Sequence, residues 1–128
     1  MKERVYVAGS LKDVERVRGV MNLVRLAGHE VILDWTKMEL PANGDDGSLG
    51  PELQRAIALA ELRAVTDASL VILLYQDNLL GALLETGAAL SAGKDIWVVN
   101  ADRASVFWSL PGVELVAPRD LYRRLRDR

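Results

Sequence analysis

Two glutamates stand on predicted helices whose inward stripes are otherwise small or apolar. Glu85 lies in LLETGAALSAGK (Leu83 to Lys94), and Glu61 in the run from Pro51 to Thr66. Along one face of the first helix the residues are Gly81, Glu85, Ala88, Ala89 and Ala92. Such small side chains suit close docking against a flat sheet, so Glu85 is expected to point inward and up. A helix N-terminus favours its ionised form, and a partly buried carboxylate beside a pocket can serve as nucleophile or general base. The competing reading is an acid placed in the first turn for the helix dipole alone. Glu61 flanks the stripe Leu53, Ile57, Ala60, Ala64. It is either a solvated edge residue, paired with Arg63 or a lysine, or a second carboxylate of the same site. AGSLKD, with Gly9, Ser10 and Lys12, reads as a phosphate-cradling turn at a helix start or simply as a capped helix. It lacks a full dinucleotide or Walker pattern. Trp35 ends a strand where it can stack on a base or close a core.

The elements that must position these groups follow from periodicity. RVYVAG (Arg4 to Gly9) is a β-branched run closed by glycine and reads as a strand. Ser10 caps the next helix, with Asp13 three residues on as a variant capping box, and the helix runs to Ala27. Val14, Val17, Val20, Met21 and Val24 form its inward stripe, and Gly28 ends it. HEVILDW (His29 to Trp35) is a second strand, with His29 structural at the far end of the sheet. Thr36 to Gly50 is a loop of roughly 15 residues, long enough to suggest a function. Ser48 or Gly50 caps a helix with Pro51 in its first turn and its end near Thr66. SLVILLY (Ser69 to Tyr75) is an unbroken apolar run, the mark of a strand covered on both faces. The Glu85 helix follows from about Leu80 to Gly93. DIWVVN and VELVAP are further strands, SVFWSL a helical turn, and RDLYRRLRDR a terminal helix with a solvated basic end.

This alternation predicts an α/β three-layer sandwich, flavodoxin- or Rossmann-like, around a five-stranded parallel sheet of order 2-1-3-4-5. Ligands in such folds bind beyond the carboxyl ends of the strands, at the switch between strands one and three. Ala8 to Lys12, Asp34 to Thr36, Tyr75 to Glu85 and Asn100 onward all fall there.

Composition narrows the classes. The chain has 128 residues, which suits one domain spanning 1–128, and a net charge of −2 makes no case for nucleic acid. With no cysteine and one histidine, neither a disulfide nor a cysteine- or histidine-based metal site is expected, and no cofactor is called for. No apolar run reaches membrane-spanning length and MKERVYVAGS lacks a signal-peptide layout, so no membrane partner and a cytoplasmic location are expected.

VYVAGS, GHEVILDW, ELRAVTDASLVILLY and LLGALLETGAALSAGKDIWVV together resemble the nucleoside 2-deoxyribosyltransferase family, which includes 2′-deoxynucleoside 5′-monophosphate N-hydrolases. The most specific part is the G-x-x-x-E-x-G-x-x-x-x-x-x-K pattern, met by Gly81, Glu85, Gly87 and Lys94. The resemblance implies that Glu85 is a nucleophile attacking the anomeric carbon, with a covalent glycosyl-enzyme intermediate. It also implies that an acid eight residues before strand three, here Glu61 where the family usually has Asp, assists the leaving base. That chemistry suits paired carboxylates. One ionised group stabilises and traps an oxocarbenium-like carbon, and one kept protonated by burial donates to the base.

The resemblance further implies that Gly9, Ser10 and Lys12 hold a 5′-phosphate and that Asp34 and Trp35 face the base. Asp77 and Asn78, before Gly81, contact sugar or base, and Asn100 reaches a neighbouring subunit's site in a homodimer or higher homo-oligomer. The substrate is then a small nucleoside or nucleotide. A non-catalytic nucleotide-binding sensor on the same scaffold is the alternative, fed by the Glu in place of Asp at 61 and by the apolar NLLGALLE. A flavodoxin-like redox protein would need a loop richer in Ser and Thr than AGSLKD.

Overall fold

A computed structural model of the chain describes residues 2–38, 50–77, 79–101 and 105–128. Five strands, β1 (Arg4–Ala8), β2 (Glu30–Val31), β3 (Leu70–Leu74), β4 (Asp95–Val99) and β5 (Val113–Val116), form one sheet of order β2-β1-β3-β4-β5. Every described pairing is parallel. Among the described residues four helices connect or follow them: α1 (Val14–Leu26), α2 (Pro51–Asp67), α3 (Leu80–Ser91) and α4 (Leu121–Arg126). α1 packs beside α4, and α2 beside α3, so the sheet is covered on both faces as right-handed crossovers require. The expected three-layer α/β sandwich and strand order are therefore the ones observed.

Burial explains why the central strands are so apolar. All five residues of β3 are buried, and Val5, Tyr6, Val7, Ile72, Leu73, Ile96 and Val98 have no accessible surface at all. α1 delivers Val17, Val20, Met21 and Val24 to this core. Gly9 lets it return closely over β1, because a Cβ there would meet Val17 Cγ2 at 2.7 Å. Gly28 and Gly93, with φ of +90° and +71°, end α1 and α3 in the left-handed conformation that glycine adopts freely.

Three local expectations are corrected. Ser10 caps a 3-10 turn (Leu11–Asp13) through Lys12 N–H, and Asp13 makes no capping bond to α1 but pairs with Arg16 at 3.6 Å. β2 is two residues long rather than running to Trp35. β1 still needs partners along that edge. Glu30 N–H donates to Glu3 O, Ile32 N–H to Val5 O, and the Trp35 indole N–H to Val7 O at 2.7 Å. The indole thus continues the ladder that the strand abandons, while Asp34 turns the chain into a 3-10 turn (Trp35–Lys37). Finally, the basic C-terminal helix is not simply solvated. Arg124 and Arg128 place their guanidinium carbons 5.0 and 5.6 Å from the Trp97 ring centroid. Arg124 bonds Glu114, and Arg128 bonds Glu3 and Asp95.

The amino end of the sheet is closed by polar groups. Buried His29 accepts from Glu3 N–H through Nδ1 at 2.9 Å, so its Nε2 carries the proton and donates to Leu125 O at 2.7 Å. His29 therefore staples α4 to β1, as its structural reading anticipated. Ser69 donates to the Glu3 carboxylate, and this bond, with Arg128, holds the Glu3 pKa below its ordinary value against the opposing effect of burial. Replacing His29→Ala leaves both backbone groups without their partner. The expected loss is about 2 kcal/mol of unfolding free energy, read from the midpoint of urea denaturation at unchanged slope.

Candidate active site

The carboxyl ends of β1, β3 and β4 present Ala8-Gly9-Ser10, Tyr75-Gln76-Asp77 and Asn100 to the same side of the sheet. α3 starts there because the chain leaves β3 and turns within a few residues. Leu79, 4% exposed, anchors that turn in the core. The helix buries Ala82, Glu85, Thr86 and Ala89. This inward face differs from the small-residue stripe expected from sequence: Gly81 and Ala92 are exposed and Ala88 is half-buried. A Cβ at Gly81 or Gly87 would meet nothing within 4 Å, so neither glycine serves close packing. Leu79, Ala82, Thr86 and Ala89 set the rotation, and Glu85 still falls on the inside. Thr86 turns its hydroxyl back to Ala82 O at 2.7 Å and so carries no unpaired polar atom into the core.

Glu85 is 9% exposed, and its Oε2 accepts from the hydroxyl of Tyr6, at the centre of β1. Burial, then the nearby charge of Glu61, pushes the Glu85 pKa from 4.5 up to about 8, and the Tyr6 hydrogen bond opposes the rise. Burial, followed by the charges of Glu85 and Glu61, raises the Tyr6 phenol well above its ordinary range, so it remains a donor. Glu61, half-buried on α2, thus lies close enough to act on both groups. α2 and α3 are neighbours over the sheet, which brings the two sequence-selected carboxylates together. Such a cluster offers a buried carboxylate, a phenol holding one of its oxygens, and another carboxylate near it.

The remaining candidates spread around this centre. Gly9 and Ser10 are half-buried and Lys12 is exposed, at the β1 turn. Trp35 is 4% exposed and its N–H is committed to Val7 O. Asp34 is committed too. One oxygen accepts from Thr36 N–H and its hydroxyl, the other from Arg25 at 3.4 Å, and these bonds outweigh burial to hold its pKa low. Arg18 bonds Thr36 Oγ1 and O, which adds to the same knot. Asp77 and Gly81 are exposed, Asn78 lies outside the described residues, and Asn100 ends β4 exposed with φ of +62°, a conformation asparagine tolerates. Among the described residues no group of three or more His, Cys, Asp or Glu is placed to hold a metal ion, and no helix is long and apolar enough to cross a membrane.

Tyr6 escaped the sequence reading. The available signal was a phenol in an otherwise aliphatic central strand, where a buried hydroxyl requires a partner. Tyr75, just after β3, fell within the stretch picked out at the strand ends but was given no role. Its ring meets Trp108 edge-on, with centroids 6.1 Å apart.

No protein-family model and no curated protein sequence matches the chain. Among solved structures it is similar to the Clostridium botulinum CMP N-glycosidase BcmB, with a TM-score of 0.62 and 19% identity over 97% of this chain and 96% of that one. The likeness is one of fold across nearly the whole of both chains. It agrees with the fold that the resemblance to nucleoside 2-deoxyribosyltransferases implied.

A carboxyl group whose folded pKa is raised stabilises the fold fully only below its unfolded pKa near 4.5. That contribution is lost as pH rises through about 8. Glu85→Gln keeps the shape and removes the ionisation. The variant is expected to melt roughly 5 °C higher than the parent at pH 9 and close to it at pH 4, as measured by calorimetry across that range.

Proposed function

We propose that this protein cleaves the N-glycosidic bond of a nucleoside 5′-monophosphate, with Glu85 as nucleophile and Glu61 as the acid that assists the departing base. The observation that carries this reading is the buried Glu85 carboxylate, bonded to Tyr6 on one oxygen and beside Glu61, at the carboxyl ends of the strands. The fold-level likeness to a CMP N-glycosidase supports the same class of bond.

In this mechanism the free oxygen of Glu85 attacks C1′ as the C1′–N bond breaks, and the bonding pair leaves with the base. The Glu61 carboxyl proton passes to that base. The resulting ester joins Glu85 to C1′, and a water deprotonated by Glu61 then attacks C1′ and releases the carboxylate with sugar phosphate. Should another base attack in place of water, the outcome is transfer. Tyr6 holds the nucleophile's other oxygen and favours its ionised form, so it is a positioning residue. The Gly9-Ser10-Lys12 turn supplies a cation and a helix-start amide environment for the 5′-phosphate. Trp35 and Tyr75 wall the base side.

For the sugar, the family pattern around Glu85 favours 2′-deoxyribose, whereas the structural neighbour is a CMP N-glycosidase, and CMP is a ribonucleotide. Incubation with paired nucleotides, CMP against dCMP and likewise for the other bases, with free base followed by chromatography, separates the two. Saturable binding without any base release would instead establish a nucleotide sensor.

Glu85→Ala is expected to abolish base release while the circular dichroism spectrum stays that of the parent. Attack requires Glu85 ionised and departure of the base requires Glu61 protonated, so kcat/KM is expected to pass through a maximum in pH, its rise set by Glu85. Tyr6→Phe should move that rise to higher pH and Glu61→Gln to lower pH, read from full pH profiles. Lys12→Ala is expected to raise KM about tenfold for monophosphates and to leave unphosphorylated nucleosides unaffected. Equal losses for both would exclude a phosphate site at that turn.

A further inference from the structure

The β1–β3 register sets Tyr6 beside Val71 and Ala8 beside Leu73. These four side chains therefore share one face of the sheet, the face on which α3 brings Glu85 to Tyr6. Tyr75 is the next residue along that chain to point the same way. Its backbone N–H still donates to Val99 O at 3.0 Å, so the ladder fixes its direction although β3 has ended. Val71 and Leu73 have no accessible surface, whereas Tyr75 is half-buried. The phenol is thus the first side chain past β3 on the Glu85 face to be partly uncovered. By the same registers, Ser10 after β1 and Asn100 after β4 stand level with it.

This ring is braced. Trp108 meets it with the two planes at 89°, and Trp108 itself sits in a 3-10 turn, Val106–Ser109. Ser105 caps the turn by accepting from Phe107 N–H at 3.2 Å, and Leu110 O ties it to β5 through Val113 N–H at 3.1 Å. An edge-on contact uses the edge of one ring and a single face of the other, so the pair keeps surface for stacking. Residues 105–112 carry no charge, and Val106 and Phe107 beside Trp108 are 80% and 56% exposed. Flat, uncharged aromatic surface suits a heteroaromatic base and offers nothing to a phosphate. Resting on the N-glycosidic reading above, we propose that Tyr75, braced by Trp108, is the platform on which the base of the substrate stacks, and that this pair sets the preference for a nucleotide over a bare sugar phosphate. Stacking engages the face of a ring and not its edge, so the platform serves purines and pyrimidines alike.

Binding tests this without turnover. In a Glu85→Gln background, titration calorimetry is run with CMP, AMP, dCMP and dAMP, and with ribose 5-phosphate and 2-deoxyribose 5-phosphate. Adding Tyr75→Leu, which keeps bulk but not the flat ring, should raise the dissociation constant about tenfold for every nucleotide that the background binds. The sugar phosphates should bind as before, and Tyr75→Phe should keep the nucleotide values of the background. A second measurement is tryptophan emission. Trp35 and Trp97 are only 4% and 2% exposed, so quenching by nucleotide, and not by sugar phosphate, should come from Trp108 and disappear in Trp108→Leu. Nucleotide binding that is unchanged in Tyr75→Leu overturns the platform alone and leaves bond cleavage standing. So does a loss equal for nucleotides and sugar phosphates in a variant whose circular dichroism matches the background. A background protein that binds none of the nucleotides overturns both readings.

Discussion

The hydrogen bond from Tyr6 to Glu85 ties the centre of the sheet to the helix above it. A carboxyl group buried to this degree would, unaided, favour its neutral form strongly, since desolvation penalises charge. The phenol offsets part of that penalty and fixes which oxygen faces the sheet. It can do so only because α3 approaches β1 and β3 on a face built from Ala82, Thr86 and Ala89. Larger side chains there would lift the helix and open the bond. Burial and the neighbouring Glu61 push the Glu85 pKa up to about 8, at a cost in stability once pH exceeds that value.

The two ends of the sheet are built on different principles. At the amino end, Glu3, His29, Ser69, Asp95 and Arg128 are joined into a closed polar network that binds α4 to three strands. Each of these groups has a partner within the fold. At the carboxyl end the strands stop at different heights, Asn100 and Asp77 are exposed, and Tyr6 and Glu85 are buried with Glu61 half-buried near them. That division agrees with parallel sheets generally, whose ligand sites lie past the carboxyl ends. The β2 edge shows how the fold protects this arrangement. A two-residue strand leaves Val7 O without a backbone partner on that side, and the Trp35 indole supplies the donor. Trp35 is thereby part of the sheet's hydrogen bonding.

Strand order, helix count and the inward direction of Glu85 were legible because they rest on patterns repeated along the chain. The apolar run of β3, the glycines after α1 and α3, and the valine stripe of α1 each carry their own local cause. Less was legible where one residue had two eligible partners. Asp34 was read as facing a base, yet its oxygens are taken by Thr36 and Arg25. The small-residue stripe of α3 was read one position out of rotation, because glycines and alanines point in every direction and give little periodic contrast. The arginines of the C-terminal stretch were read as solvated, although Trp97 lies beneath Arg124 and Arg128.

From its residues alone, this chain determined a doubly covered parallel sheet and a carboxylate at the start of the third helix. Hydrophobic period and glycine punctuation act over a few residues, and crossover handedness does the rest. Only the tertiary structure decided that Tyr6 would meet Glu85 and that Glu61 would come near enough to raise its pKa. It alone decided that Trp35 would stand in for a missing strand. Those outcomes depend on distances between groups 24 to 79 positions apart in the sequence, and such distances are set by how helices seat on a sheet, which no local pattern encodes.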